Sequence, residues 1–87
     1  MALEEDFTAA QARVKTLSRT PETGELLDLY ALYKQGSSGD VTGSRPGMLD
    51  FKGRAKYDAW AGKKGVAKDA AQRAYVELVA KLATKYA

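Results

Sequence analysis

The sequence predicts an all-α chain: a four-helix bundle with a long crossover loop between its second and third helices. Three observations carry that prediction. Apolar residues recur at steps of three and four in four separate stretches. No segment alternates in the strand period for more than a few residues. One stretch breaks the pattern: residues 36–47 hold four of the eight glycines and one of the two prolines, the composition of a loop. At 87 residues the chain is a single domain, residues 1–87. A domain of this size hides only about 60–65% of its unfolded surface on folding, so its core must be compact. A loop of that length can cross a whole helix, so the second and third helices need not be antiparallel neighbours.

The first helix, residues 4–17, follows from Leu3, Phe7, Ala10, Val14 and Leu17, which fall on one stripe. Ser18 to Thr20 ends it. The second helix, residues 22–36, starts near Thr20-Pro21, a cap followed by proline, with Thr23 as another candidate start. Its apolar face is Leu26, Leu29, Tyr30 and Tyr33, and Gly36 is a natural stop. The third helix, residues 51–64, is capped by Asp50. Phe51, Ala55 and Ala59 lie on one side of it, Tyr57 and Trp60 on another, and Gly65 closes it. Gly62 in its last turn costs roughly 1 kcal/mol against alanine. The fourth helix, residues 67–86, carries Ala71, Ala74, Tyr75, Leu78, Leu82 and Tyr86. Its start is weak: Val66-Ala67 offers no capping side chain, although Asp69 favours the helix dipole.

Composition removes whole classes of chemistry. The chain has no cysteine, so disulfides, thiolate metal sites and thiol catalysis are out. It has no histidine, which removes the serine–histidine and cysteine–histidine nucleophile systems and the commonest metal ligand. The eleven carboxylates are scattered, and none sits in an apolar stripe where burial would raise its pKa. Gly39, Gly43 and Gly47 stand four apart, with no Gly-Lys-Ser/Thr following and no strand preceding, so no phosphate-binding loop is present. The expectation is a protein without catalytic residues, metal or cofactor. Glu4, Glu5 and Asp6 stand where a signal peptide would need positive charge, and no run approaches a membrane span. A soluble cytoplasmic protein, with no stable membrane insertion, is expected.

The net charge of +3 is unevenly placed. Residues 1–28 carry six acids and three bases, residues 29–56 two acids and five bases, and residues 57–87 three acids and six bases. A basic excess confined to the region after residue 28 suits an anion such as a phosphate, or ordinary surface scatter. Tyr30, Tyr33 and Lys34 share one face of the second helix. Core packing is the commoner fate of such tyrosines. Lys52, Lys56 and Lys63 form a ridge on the third helix, which a solvated face would also explain. Together the two groups would offer ring faces for a base and point charges for phosphate. A nucleotide with exposed phosphates, or single-stranded nucleic acid, fits that description.

Ordered matches narrow the choice. The run Tyr30-Ala31-Leu32-Tyr33-Lys34-Gln35, then Gly39-Asp40, then Arg45-Pro46-Gly47-Met48-Leu49-Asp50-Phe51-Lys52-Gly53, then Ala55-Lys56-Tyr57-Asp58-Ala59-Trp60, closely resembles the acyl-CoA-binding protein family. The likeness continues through Ala74-Tyr75 and spans nearly the whole chain. It implies a four-helix bundle with a crossover loop, no enzymatic activity, and a bowl-shaped site for long-chain fatty acyl-CoA. It implies a monomeric intracellular carrier or pool former. By position, Tyr33 would stack on adenine. Tyr30, Lys34 and Lys56 would hold the ribose 3′-phosphate. Lys15 and Lys52 would contact other parts of the head group, and Tyr75 would lie along the ester. The sequence departs from the family at Tyr57, often tryptophan, at Val66-Ala67, usually a hydroxyl cap, and at Gly62. These positions concern helix ends and packing rather than binding.

The rival readings are a small helical nucleic-acid-binding domain and a protein-interaction module. A charge of +3 is low for the first, and the third helix shows no cluster of Arg, Asn or Gln for base edges. The second would use an apolar stripe to accept a partner helix.

Overall fold

The computed structural model describes residues 2–86, so the two terminal residues of the expected 1–87 domain lie outside it. Four helices form: α1 (Leu3–Val14), α2 (Thr23–Ser38), α3 (Phe51–Ala61) and α4 (Lys68–Lys85). There is no strand among the described residues. None of the helices is long and apolar enough to cross a membrane.

The helix ends differ from expectation for local reasons. α1 stops at Val14 rather than residue 17, because the amides of Lys15 and Thr16 turn to carbonyls three residues back, Ala12 and Arg13. The Thr16 hydroxyl donates to the Arg13 carbonyl as well (2.8 Å), competing with the helical ladder. α2 begins at Thr23, the second of the two candidate starts, but neither threonine caps it. Glu22 is its N-cap, and the Glu22 amide donates to the Glu25 carboxylate (2.9 Å). Gly36 does not stop α2. It lies buried in the last turn, where an added Cβ would meet Gln72 at 3.0 Å and Phe7 at 3.1 Å. The stop is Gly39, whose φ of 83° only glycine adopts freely. α3 ends at Ala61, short of residue 64, as the chain tightens through i→i−3 bonds from Lys63 and Lys64. Asp50 caps α3 as expected, accepting from the Gly53 amide (2.9 Å). α4 has the anticipated bare N-cap at Ala67.

The core joins three helices. Phe7 and Ala10 of α1, Leu29 and Leu32 of α2, and Tyr75, Val79 and Leu82 of α4 interlock with Tyr86. The α4 stripe is therefore centred on Ala71, Tyr75, Val79, Leu82 and Tyr86, with Leu78 only at its edge. Contacts fix the directions. Phe7 meets Tyr75 and Ser18 meets Tyr86, so α1 runs parallel to α4. Gly36 meets Gln72 and Glu25 meets Tyr86, so α2 runs antiparallel to α4. Lys56 lies on Tyr30 and Lys34 on Trp60, so α3 runs parallel to α2. That last pairing requires the connection over residues 39–50 to travel back along the helices.

The crossover loop is fastened rather than loose. Trp60 donates from Nε1 to the Gly39 carbonyl (2.8 Å), and Tyr57 donates to the Gly43 carbonyl (3.1 Å). Arg45 grips both oxygens of Asp58 at 2.9 and 2.7 Å. Gln35, fully buried, donates from Nε2 to Asp40 and to the Val66 carbonyl, both at 2.8 Å. Asp40 in turn accepts from the Gly65 amide, which holds its carboxyl below the usual range. Tyr57, a departure from the family pattern, thus has a defined structural use.

Candidate functional site

The backbones of α1 and α2 do not pack on one another; each packs on α4. The gap between them is a cavity of about 600 Å³, within the range of small-molecule sites (about 300–1,000 Å³). Val14, Lys15 and Leu17 line it from the end of α1. Ser18, Arg19, Thr20 and Pro21 form its wall, and Leu26, Leu29, Tyr30 and Tyr33 its α2 side. Tyr75 of α4 also lines it.

An aromatic cluster spans the gap. The Phe7 and Tyr33 rings lie 6.1 Å apart and nearly parallel, while Phe7 and Tyr75 meet edge to face at 5.2 Å. Tyr75 is buried, and burial, with the neighbouring Tyr33, pushes its hydroxyl above the ordinary tyrosine range. Tyr33 keeps 38% of its surface exposed and Tyr30 is half-buried. Neither tyrosine is buried in the core, although Tyr33 packs against the core rings of Phe7 and Tyr75. On α2 the buried positions are Leu29, Leu32, Gln35 and Gly36, and Leu29 stands at the border, lining the cavity beside Tyr30 and Tyr33 as well as joining the core.

Two cations meet rings across the α2–α3 seam, Lys56 from α3 and Lys34 from α2. Lys56 Nζ sits 5.4 Å from the Tyr30 ring centre, and Lys34 Nζ sits 4.8 Å from that of Trp60. Both are cation–π placements. Neither lysine is in an ion pair among the described residues. An ammonium resting on a ring keeps its charge uncommitted to any carboxylate and open to a phosphate oxygen. Of the seven residues singled out from the sequence, Lys15, Tyr30, Tyr33 and Tyr75 line the cavity, and Lys56 reaches its Tyr30 edge. Lys34 points to the α2–α3 side, and Lys52 is exposed in the first turn of α3, one turn from Lys56.

Sequence reasoning missed the wall. Ser18, Arg19, Thr20 and Pro21 read only as a helix stop and a cap, yet a polar clasp holds them. The Ser18 amide and hydroxyl both donate to the Tyr86 carbonyl. Arg19 lies 5.5 Å from the Tyr86 ring centre. The Tyr86 hydroxyl donates to Glu25 (2.6 Å), which also accepts from Lys85 (2.8 Å). The available signal was Arg19, a cation beside Lys15 at the end of an apolar stripe.

An open cavity between helices, with rings inside and cations at one edge, defines a helical small-molecule-binding domain. Comparison with known proteins gives the class a name. Residues 4–79 match the family described as Acyl CoA binding protein. An acyl-CoA-binding protein homolog 1 from Caenorhabditis elegans is 59% identical over 80 residues, covering 92% of this chain and 93% of that one. An acyl-CoA-binding protein homolog from Drosophila melanogaster is 47% identical over 85 residues, covering 98% and 99%. The crystal structure of acyl-CoA-binding protein 2 from Oryza sativa superposes with a TM-score of 0.91 at 38% identity, over 95% of this chain and 90% of that one. The chain belongs to the acyl-CoA-binding protein family.

Proposed function

We propose that this chain binds the coenzyme A ester of a long-chain fatty acid and releases it unchanged, as a monomeric intracellular carrier or reserve in the cytoplasm. The observation that carries the reading is the convergence of Lys15, Tyr30, Tyr33 and Tyr75 on one cavity, with Lys56 against Tyr30. Tyr33, the most exposed ring of its cluster, offers a face on which adenine stacks. Tyr30, Lys34 and Lys56 hold the ribose 3′-phosphate, Lys34 by leaving the face of Trp60. Lys15 and Lys52 take other parts of the head group, and Tyr75 lies along the ester. These roles are the ones that resemblance to the family implies for these positions, and membership of the family supports the ligand class.

The two ends of such a ligand call on different physics. Each buried methylene contributes roughly 0.8 kcal/mol, so chain length sets affinity steeply. Hydrogen bonds to charged groups contribute about 1.5–3 kcal/mol each and set identity. Calorimetry with coenzyme A, palmitate and palmitoyl-CoA tests the reading. The ester is expected to bind far more tightly than either part, and equal affinity for coenzyme A and its ester would end the idea of a buried chain. Lys56→Ala is expected to weaken binding, with a smaller loss for a ligand lacking the 3′-phosphate.

A further inference from the structure

The cavity leaves unexplained the most exposed apolar surface of the molecule. Met48, Leu49 and Phe51 are 78%, 91% and 77% exposed. They stand within four consecutive positions where the crossover loop turns into α3, and none lines the cavity. α3 itself does not need them, since Trp60 is the one residue it buries. Projecting apolar side chains of this size are not shed onto a surface at random in such a cluster.

The charges around them indicate what they meet. Lys52, Arg54 and Lys56 follow along α3, with Lys63 and Lys64 just past its end. The two nearby acids are engaged: Asp50 caps α3 through the Gly53 amide, and Asp58 is held by both nitrogens of Arg45. Among the described residues none of those five cations is in an ion pair. We infer that the Met48–Leu49–Phe51 projection, ringed by Lys52 and Arg54, is a peripheral docking surface for an anionic lipid bilayer. The apolar side chains enter the boundary between headgroups and acyl chains, while the cations meet phosphate oxygens. A second copy meeting it through the same patch suits the surface poorly, because it would set like charges against one another.

The position deepens the carrier reading, on which this step rests. Phe51 lies five residues before Lys56, about 7–8 Å along the helix, and Lys56 rests on Tyr30 at the cavity edge. A bilayer docked on the projection therefore lies next to the cavity, where an ester leaving the lipid would be taken up.

The test uses the full chain without ligand, sedimented with vesicles of phosphatidylcholine alone or of an equimolar mixture with phosphatidylserine. Binding to the mixed vesicles only, lost at high salt, is expected. The double variant Met48→Ser/Leu49→Ser is expected to lose at least about tenfold in vesicle affinity and to keep the wild-type affinity for palmitoyl-CoA in free solution. Equal binding of the wild-type chain to both vesicle types, or wild-type vesicle binding by the variant, overturns the inference. So does a dimer in sedimentation velocity that the variant dissolves, since a second copy would then be the occupant. A variant that loses palmitoyl-CoA affinity makes the projection part of the ligand site and also overturns it. If palmitoyl-CoA fails to bind while the vesicle results hold, the carrier reading falls and the docking surface stands.

Discussion

Three of the helices and the fourth are held by different means. α1, α2 and α4 share an aliphatic and aromatic core in which Val79 and Leu82 are almost wholly buried. α3 buries Trp60 and is otherwise fastened by polar ties: Trp60 to Gly39, Tyr57 to Gly43, and Asp58 to Arg45. The contrast separates stability from recognition. The three-helix unit supplies cohesion through area removed from water. α3 contributes little to that total, so its surface is free to carry the lysines beside Tyr30 and the apolar projection at its start.

The sharpest way to break that comparison is a pair of truncations. Leu82→Ala removes a core side chain that is 2% exposed, and is expected to cost about 2–5 kcal/mol in urea unfolding. That is a large share of the roughly 5–15 kcal/mol available to a small domain. Phe51→Ala removes a larger side chain that is 77% exposed, and is expected to change stability by no more than about 0.5 kcal/mol. Similar costs for the two would mean that α3 is part of the cohesive core after all.

Gly36→Ala gives a smaller effect and tests how closely the three-helix unit is packed. Alanine improves the intrinsic helix propensity by about 1 kcal/mol. Its Cβ, however, would stand 3.0 Å from Gln72 and 3.1 Å from Phe7. Overpacking of this kind costs about 1–3 kcal/mol, so a net loss of about 1 kcal/mol in urea unfolding is expected. A gain would mean that Phe7 and Gln72 yield freely.

Gly36 also illustrates what could be read in advance. Helix number and order were legible, because periodicity follows directly from burial of one helical face. Asp50 was legible as a cap because its chemistry is local. Gly36 was misread because glycine serves two purposes, ending helices and admitting close neighbours, and only the packed structure separates them. Glu22 was passed over for threonines with better capping statistics, since the Glu25 carboxylate does the work from three residues away. At the site, helical spacing grouped Tyr30, Tyr33 and Lys34 but could not choose between core and cavity. The choice depends on which face of α2 turns to α4, and Leu32 and Gln35 decide it. The approach of Lys56 to Tyr30 depends on parallel packing of α2 and α3, which no local pattern encodes. The resemblance supplied it.

The smallest effect concerns the clasp behind the cavity wall and is read by pH. Lys85, the Tyr86 hydroxyl and the Glu22 amide all donate to Glu25, and together they lower its pKa from 4.5 to about 2. Because the folded value is depressed, the stabilisation is complete above the unfolded value and disappears as the pH falls through the window from 4.5 to about 2. Glu25→Gln lacks that charge at every pH. The wild-type chain should therefore exceed the variant in urea midpoint at neutral pH, and the gap should close across that window. A gap of constant size down to the lowest pH would show that shape and neutral hydrogen bonding, rather than the carboxylate's charge, hold Tyr86 against the wall. The three-helix unit would then close its cavity by packing and neutral hydrogen bonds, with the Glu25 charge contributing nothing to it.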